Sequence, residues 1–358
     1  MAYTNVSTTS ESVKQNYAWD KMKRIGYIFD EMVSCENLLA AHYEAKRGKT
    51  LKRRRGIAAF ERDLEANIMA LHSALTNGTW RMHPYRQIVR FEAGKRREIF
   101  YSPFYPDTVV QHAIGRTLGE RLIRSFIPDT YAGMTNRGIH YGVRRIRKFL
   151  AGCLELQSIY VFKFDLRHYY ASIDHDVLKD ALRRKIKDRR CLNLLFGIID
   201  SHSPGLPIGN YISPMFANFL LSPYDHWAQE VFRVKKYARY LDDITVVEFS
   251  KTRLIEFRQQ TEAKMRDLLL TIKPNLQIFP IERYGIDFMG YVFTRNNVRL
   301  RKRVERKFRR SANRFKKNPC LRHYRTLASY WGWIKYLSRG YKLWFSIFNK
   351  PLKQLMEV

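Results

Sequence analysis

Two apolar stretches of this chain each run into an aspartate, and no other feature constrains the fold as much. Ile159 to Phe164 is a short run of β-branched and aromatic residues; it reads as a buried strand and ends on Asp165. Val234 to Val247 reads as two strands joined by a tight turn at Tyr240-Leu241-Asp242-Asp243. Carboxylates flanked by so much buried sequence are costly unless they are paired or bind a metal. Each acid alone also fits a strand end or a turn, because Asp stabilises turns through its own side chain.

The rest of the chain alternates in type, which predicts an α+β fold. Helical stripes are formed by Ile25, Ile28, Phe29 and Met32 and by Leu64, Ile68, Leu71 and Leu75. Between them, Lys49 to Arg55 reads as a solvated basic loop or a phosphate contact. Asn77-Gly78 marks a turn, followed by β-rich pieces at Trp80 to Phe91 and Arg97 to Tyr101. Helices are expected from Pro106 to Ser125, from Tyr141 to Ala151, after an N-cap at Asp174, and from Leu254 to Leu269. Gly205 to Gly209 is a loop, and Ser213 to Leu221 is a buried helix with Pro214 in its first turn. Phe288 to Phe293 and Val298 to Leu300 suggest a hairpin with Asn296-Asn297 at its tip. Residues 301 to 317 then hold ten cations and one acid, and an aromatic-rich helical tail follows.

Charge narrows the partner. Lys and Arg number 65 against 33 Asp and Glu, a formal +32 spread along most of the chain. A polyanion is the natural ligand, because neutralising its phosphates releases condensed counterions. A membrane-surface protein or a ribosome-like basic protein are the blander readings. Cys35, Cys153, Cys191 and Cys320 lie too far apart for zinc spacing and read as buried, reduced thiols. No segment has the apolar length of a signal peptide or a membrane span, so a soluble cytoplasmic protein is expected, with no membrane partner.

Phosphoryl transfer to a 3′-hydroxyl uses two divalent cations about 4 Å apart, held by a few carboxylates on rigid elements. The sequences around the three aspartates fit that need and resemble bacterial reverse transcriptases. Phe164-Asp165-Leu166-Arg167-His168-Tyr169-Tyr170-Ala171-Ser172-Ile173-Asp174-His175 is similar to their first catalytic block, and Tyr240-Leu241-Asp242-Asp243 to their Y-x-D-D box. Gly205-Leu206-Pro207-Ile208-Gly209-Asn210 through Phe216-Ala217-Asn218 resembles the loop and helix between the two. Gly285-Ile286-Asp287-Phe288-Met289-Gly290-Tyr291 resembles the primer-grip hairpin. The likeness is greatest to the enzymes of diversity-generating retroelements and their defence-associated, antiphage relatives, and more distant to group II intron enzymes. Ser213-Pro214, Leu241 and the arm through residue 20 depart from the retroelement pattern.

The resemblance implies a right-hand polymerase with a helical thumb. Residues 1–20 would be an N-terminal arm, 21–158 fingers with the start of the palm, 159–300 the palm, and 301–358 a basic helical thumb. It implies an RNA-directed DNA polymerase with two Mg2+ ions bridged by Asp165 and Asp242, with further ligands from the Leu166 carbonyl and Asp243. Lys95 and Arg97 would hold the triphosphate. Tyr170 would pack under the sugar and exclude a ribose, and Ile208 and Gly209 would line the nucleotide. Lys273 is a candidate general acid toward pyrophosphate, and Phe288, Met289, Gly290 and Tyr291 form the primer grip. The partners would be an RNA template, dNTPs and the DNA product, with a second protein or a second copy as a further option. A dedicated noncoding RNA template in antiphage defence is the leading role; retroelement diversification and untemplated or protein-primed synthesis are the alternatives.

Overall fold

A computed structural model describes residues 23–48, 51–92, 94–153, 157–349 and 351–356. The arm expected over residues 1–20, together with Lys49 and Thr50 of the basic run, lies outside the described residues. The fold class is α+β, as expected, and the chain forms two compact units that it enters more than once.

The first unit holds the described residues up to Ile127, with Leu166–Arg233 and Glu262–Thr271. Ile25, Ile28, Phe29 and Met32 are all buried, as are Ile68, Leu71 and Leu75 on helix Leu64–Thr76. Residues 51–55 of the basic run belong to helix Leu51–Glu61 and do not form the expected loop. Lys and Arg are good helix formers, and a cation run does not by itself break a helix. Strands β1 (Arg86–Glu92) and β2 (Lys95–Tyr101) make a two-stranded antiparallel hairpin. The segment expected to be helical over 106–125 is helical, with a π turn at Gly115–Gly119 that accommodates an extra residue. Asp174 caps helix His175–Lys185 by accepting the Asp176 and Val177 N–H groups. Asp188 caps helix Arg189–Ile199 with one oxygen and takes the N–H groups of Ile28 and Phe29 with the other. Burial opposes its ionisation, but these four bonds outweigh that and hold its carboxyl below the ordinary value. Helix Ser213–His226 starts as expected with Pro214 in its first turn and runs past Leu221.

The second unit holds Pro128–Asp165, Val234–Thr261 and the chain from Ile272 onward. Its main sheet has five strands: β3 (Thr130–Tyr131), β4 (Tyr160–Asp165), β5 (Tyr237–Tyr240), β6 (Asp243–Glu248) and β7 (Gln277–Pro280). Their spatial order is β3-β5-β6-β4-β7, antiparallel except for β3 with β5. A second sheet joins β8 (Ile286–Phe288), β9 (Tyr291–Phe293) and β10 (Val298–Leu300). Here the apolar run 288–293 is not one strand. It turns at Met289 and Gly290, whose φ values are +51° and +85°, the paired left-handed conformations of a tight hairpin turn. Asn296 and Asn297 do lie in the next connection, between β9 and β10.

Helices Ile139–Ala151, Lys302–Lys317, Leu321–Ile334 and Gly340–Phe348 share one apolar core with these sheets. Trp344 is fully buried there, stacked on Phe308. The tail tryptophans are therefore mainly packing residues. Of the cysteines, Cys191 alone is buried as expected; Cys153 and Cys320 are half-buried, and Cys35, which begins a helix, is exposed. Among the described residues no helix is long and apolar enough to cross a membrane.

Candidate active site

Strand register assembles the carboxylates. β4 pairs with β6 so that Asp165 faces Asp243 and Lys163 faces Thr245. Residues directly opposite in an antiparallel pair share a face, and residues two apart on one strand do too. Asp165, Asp243, Lys163 and, through β5, Tyr240 therefore project from the same side. The other side is anchored by Phe162, Phe164, Ile244 and Val246, all buried. The β5–β6 turn consists of Leu241 and Asp242, with Leu241 in the left-handed region at φ +55°.

Asp242, in the turn, lies close enough to Asp165 for each carboxyl to feel the charge of the other. Burial holds the Asp242 carboxyl well above the ordinary carboxylate value; the charge of Asp165 pushes the same way, and Lys273 opposes them. Two bare carboxylates about 4 Å apart repel by about 4 kcal/mol at an effective dielectric constant of about 20. A proton, a metal ion or a nearby ammonium such as that of Lys273 eases such a repulsion. Lys273 is tied to the same point: its backbone N–H donates to the Asp165 carbonyl at 2.9 Å, and its ammonium contacts the Asp165 carboxylate. Asp243 turns instead to the Lys163 ammonium, which lies 5.2 Å from the centre of the Phe288 ring. Burial raises the Asp243 carboxyl, against the pull of Lys163.

The donor set fits a hard divalent cation. Its donors are all oxygen, strand register sets Asp165 and Asp243, and Lys273 and Lys163 offset the charge of these two acids. Among the described residues no three His, Cys, Asp or Glu side chains form a closed metal cage. That is expected where one or two carboxylates share a cation with water, backbone and substrate oxygens. Leu166, whose carbonyl is a candidate ligand, follows Asp165 directly in the chain and has a buried side chain.

The nucleotide candidates cluster within the first unit. The Leu206 N–H donates to the Tyr170 carbonyl at 2.8 Å, and the Phe100 N–H donates to the Ile208 carbonyl at 2.7 Å. The loop 205–209 thus links Tyr170 to strand β2, which carries Lys95 and Arg97. Arg97 is exposed, opposite Arg90 on β1; the Lys95 backbone starts β2, and its side chain lies outside the described residues. Gly209 sits at φ +110°, and a Cβ there would meet the Phe100 carbonyl oxygen at 2.8 Å, so only glycine lets the loop lie this close to β2. Tyr170 and Ile208 are half-buried.

Of the four primer-grip candidates, Phe288, Met289 and Tyr291 are buried and Gly290 is partly exposed. The Tyr291 hydroxyl donates to the Trp333 carbonyl at 3.0 Å, and the same indole closes over Gly290, where a Cβ would come within 2.7 Å of it. Sequence reasoning missed Lys163 and Arg239. Strand periodicity places Lys163 beside Asp165. Arg239 is fully buried and donates to the Leu241 carbonyl in the β5–β6 turn.

This geometry falls within a recognisable span. The reverse transcriptase (RNA-dependent DNA polymerase) family matches residues 116–293, a stretch that contains Asp165, Asp242 and Asp243 and ends at the close of β9. The chain carries a reverse transcriptase domain, distantly homologous to bacterial YkfC and to group II intron reverse transcriptases. It is 22% identical over 279 residues to Protein YkfC of Escherichia coli (strain K12), covering 66% of this chain and 73% of YkfC. It is 22% identical over 179 residues to the group II intron-encoded protein LtrA of Lactococcus lactis subsp. cremoris, 47% of this chain but only 29% of LtrA. The solved structure of apo telomerase from Candida Tropicalis aligns with 62% of this chain and 49% of that one, at 11% identity and a TM-score of 0.46.

Proposed function

We propose that this chain is an RNA-directed DNA polymerase that adds deoxynucleotides to a 3′-hydroxyl, with two Mg2+ ions held by Asp165 and Asp242. The observation that carries the reading is the placement of these two carboxyls beside each other, where β4 ends and the β5–β6 turn begins, inside the matched reverse transcriptase span. Two divalent ions would activate the attacking 3′-hydroxyl and stabilise the leaving pyrophosphate. Asp165 and Asp242 supply their carboxylate oxygens, and Leu166 adds its carbonyl. Asp243, held by Lys163, is a ligand only when it releases that lysine. Lys273, already on Asp165, is a proton donor toward the departing pyrophosphate. Lys95 and Arg97 clasp the triphosphate, for which a guanidinium is suited by its bidentate geometry. Tyr170 excludes a ribose, Ile208 and Gly209 shape the nucleotide site, and the 288–291 turn supports the primer end. The residues from 301 onward act as a thumb: helix Lys302–Lys317 offers its cations to the phosphates of a template–primer duplex.

The proposed template is a dedicated structured noncoding RNA, and the proposed setting is antiphage defence in the cytoplasm. Ser213-Pro214, Leu241 and the additional N-terminal residues favour this over a diversity-generating element. The test is to sequence nucleic acid that co-purifies with the wild-type protein and with Asp242→Ala. Discrete cDNA present only in the wild type supports the reading and identifies template and product together. RNA in both, with DNA in neither, would reduce the site to nucleic-acid binding. A template repeat and variable repeat beside the gene would overturn the defence role.

A further inference from the structure

Among the described residues of the second unit, the most deeply buried charged side chain is Arg239, which is fully enclosed. It pairs with Ile244 across β5–β6, and Ile244 pairs with Phe164. Arg239 therefore projects from the side of the sheet opposite to Tyr240, Asp243 and Asp165. A guanidinium is costly to bury unless it is well bonded, and a position that needed only volume would be served by an apolar residue. Arg239 is bonded at the catalytic turn: its Nη1 donates to the Leu241 carbonyl at 3.2 Å. Its own N–H donates to the Asp129 carbonyl at 3.0 Å, which fixes the base of the side chain.

The carbonyl it grips belongs to the peptide that joins Leu241 to Asp242. Leu241 holds φ +55°, a conformation that residues with a Cβ avoid. Closure of the β5–β6 hairpin imposes this conformation, the Leu241 Cβ disfavours it, and the Arg239 bond adds to what holds the peptide in place. We infer that Arg239 is a positioning residue, which from the buried side of the sheet fixes the Leu241–Asp242 peptide and so aims the Asp242 carboxylate at Asp165. Its functional consequence rests on the polymerase reading; its structural part does not.

The test compares wild type, Arg239→Gln, Arg239→Lys, and Arg239→Gln combined with Leu241→Gly. Three quantities are read: hydrogen exchange of the peptide covering 240–243, Mn2+ affinity, and kcat and KM for a dNTP. In Arg239→Gln, turn exchange should speed up, Mn2+ affinity and kcat should each fall about tenfold, and KM should stay within about twofold. Arg239→Lys, which keeps the charge without the planar fork, should fall between the two and carries the comparison if the glutamine variant does not fold. Adding Leu241→Gly should restore most of the Mn2+ affinity and kcat, because glycine takes positive φ without help. A residue that served only packing would lower thermal stability and gain nothing from the glycine. Unchanged turn exchange in a folded Arg239→Gln protein, or a double variant no better than the single, would overturn the inference. A wild type that bound no Mn2+ and made no DNA would refute the polymerase reading, and the exchange data would still decide the role of Arg239.

Discussion

The hairpin β1–β2 and the strand pair β4–β6 are both antiparallel and in continuous register, yet they are built to opposite ends. In β4–β6 one side is sealed by Phe162, Phe164, Ile244 and Val246, and the other carries acids whose lysine partners come from β4 itself and from just before β7. In β1–β2, Arg86 through Phe91 are all exposed, Phe91 by 78%, and Ile99 is the buried exception. The first pair fixes a few atoms in place. The second leaves cations and apolar side chains exposed, and is pinned near its base through Phe100 and Ile208. Preorganised chemistry needs over-determined geometry, whereas contact with a flexible polyanion needs charge and reach.

The largest effect should come from the rigid pair. Asp242→Ala should lower DNA synthesis by about a thousandfold or more. It should leave the melting temperature unchanged or higher, because it removes a carboxylate repulsion; a collapsed melting transition would mean that the acid is structural. On the hairpin, Arg97→Ala should raise the dNTP KM about tenfold with kcat nearly unchanged, and Arg97→Lys should restore little. A fall in kcat with constant KM would contradict the division of labour between the two regions.

The third prediction concerns pH. Asp242 is held above the ordinary carboxylate value, so in the window between the two the folded protein keeps a proton that the unfolded chain has lost. Stability therefore falls as pH rises through that window, and a divalent cation must displace the proton to bind. Calorimetric titration with Mn2+ should show affinity rising with pH, by at most about tenfold per unit, and levelling off once the proton is gone. A flat profile would place the proton elsewhere. The smallest effect contrasts two glycines. Gly94 at the hairpin tip (φ +77°) has open space around it, whereas Gly209 is against Phe100. Gly94→Ala should lose about 1 kcal/mol on unfolding, for backbone conformation alone, and Gly209→Ala visibly more.

Asp165 and Asp242 were legible because an apolar run ending on an acid and an apolar hairpin turning on an acid are patterns that sequence displays directly. Lys163 was equally open to a period-two reading but looked like any lysine in a basic chain. Arg239 was hidden because a charged residue in a strand reads as solvent-facing, and only the three-dimensional sheet reveals that its side is sealed. The Met289-Gly290 turn was concealed inside a continuous apolar run; Met is no turn former, and its left-handed backbone is held by packing, with Trp333 over Gly290 and Met289 itself buried. Residues 51–55 were misjudged for the converse reason, a local charge run outweighing helix propensity in the reading but not in the fold.

The central claim is that the Asp165–Asp242 pair copies RNA into DNA. The most direct test is primer extension by the purified protein on a defined RNA template with all four dNTPs and Mg2+, followed by sequencing of the product, with Asp242→Ala alongside. The account predicts DNA complementary to the template from the wild type and none from the variant. Product that ignores the template sequence, or product from both proteins alike, would contradict it.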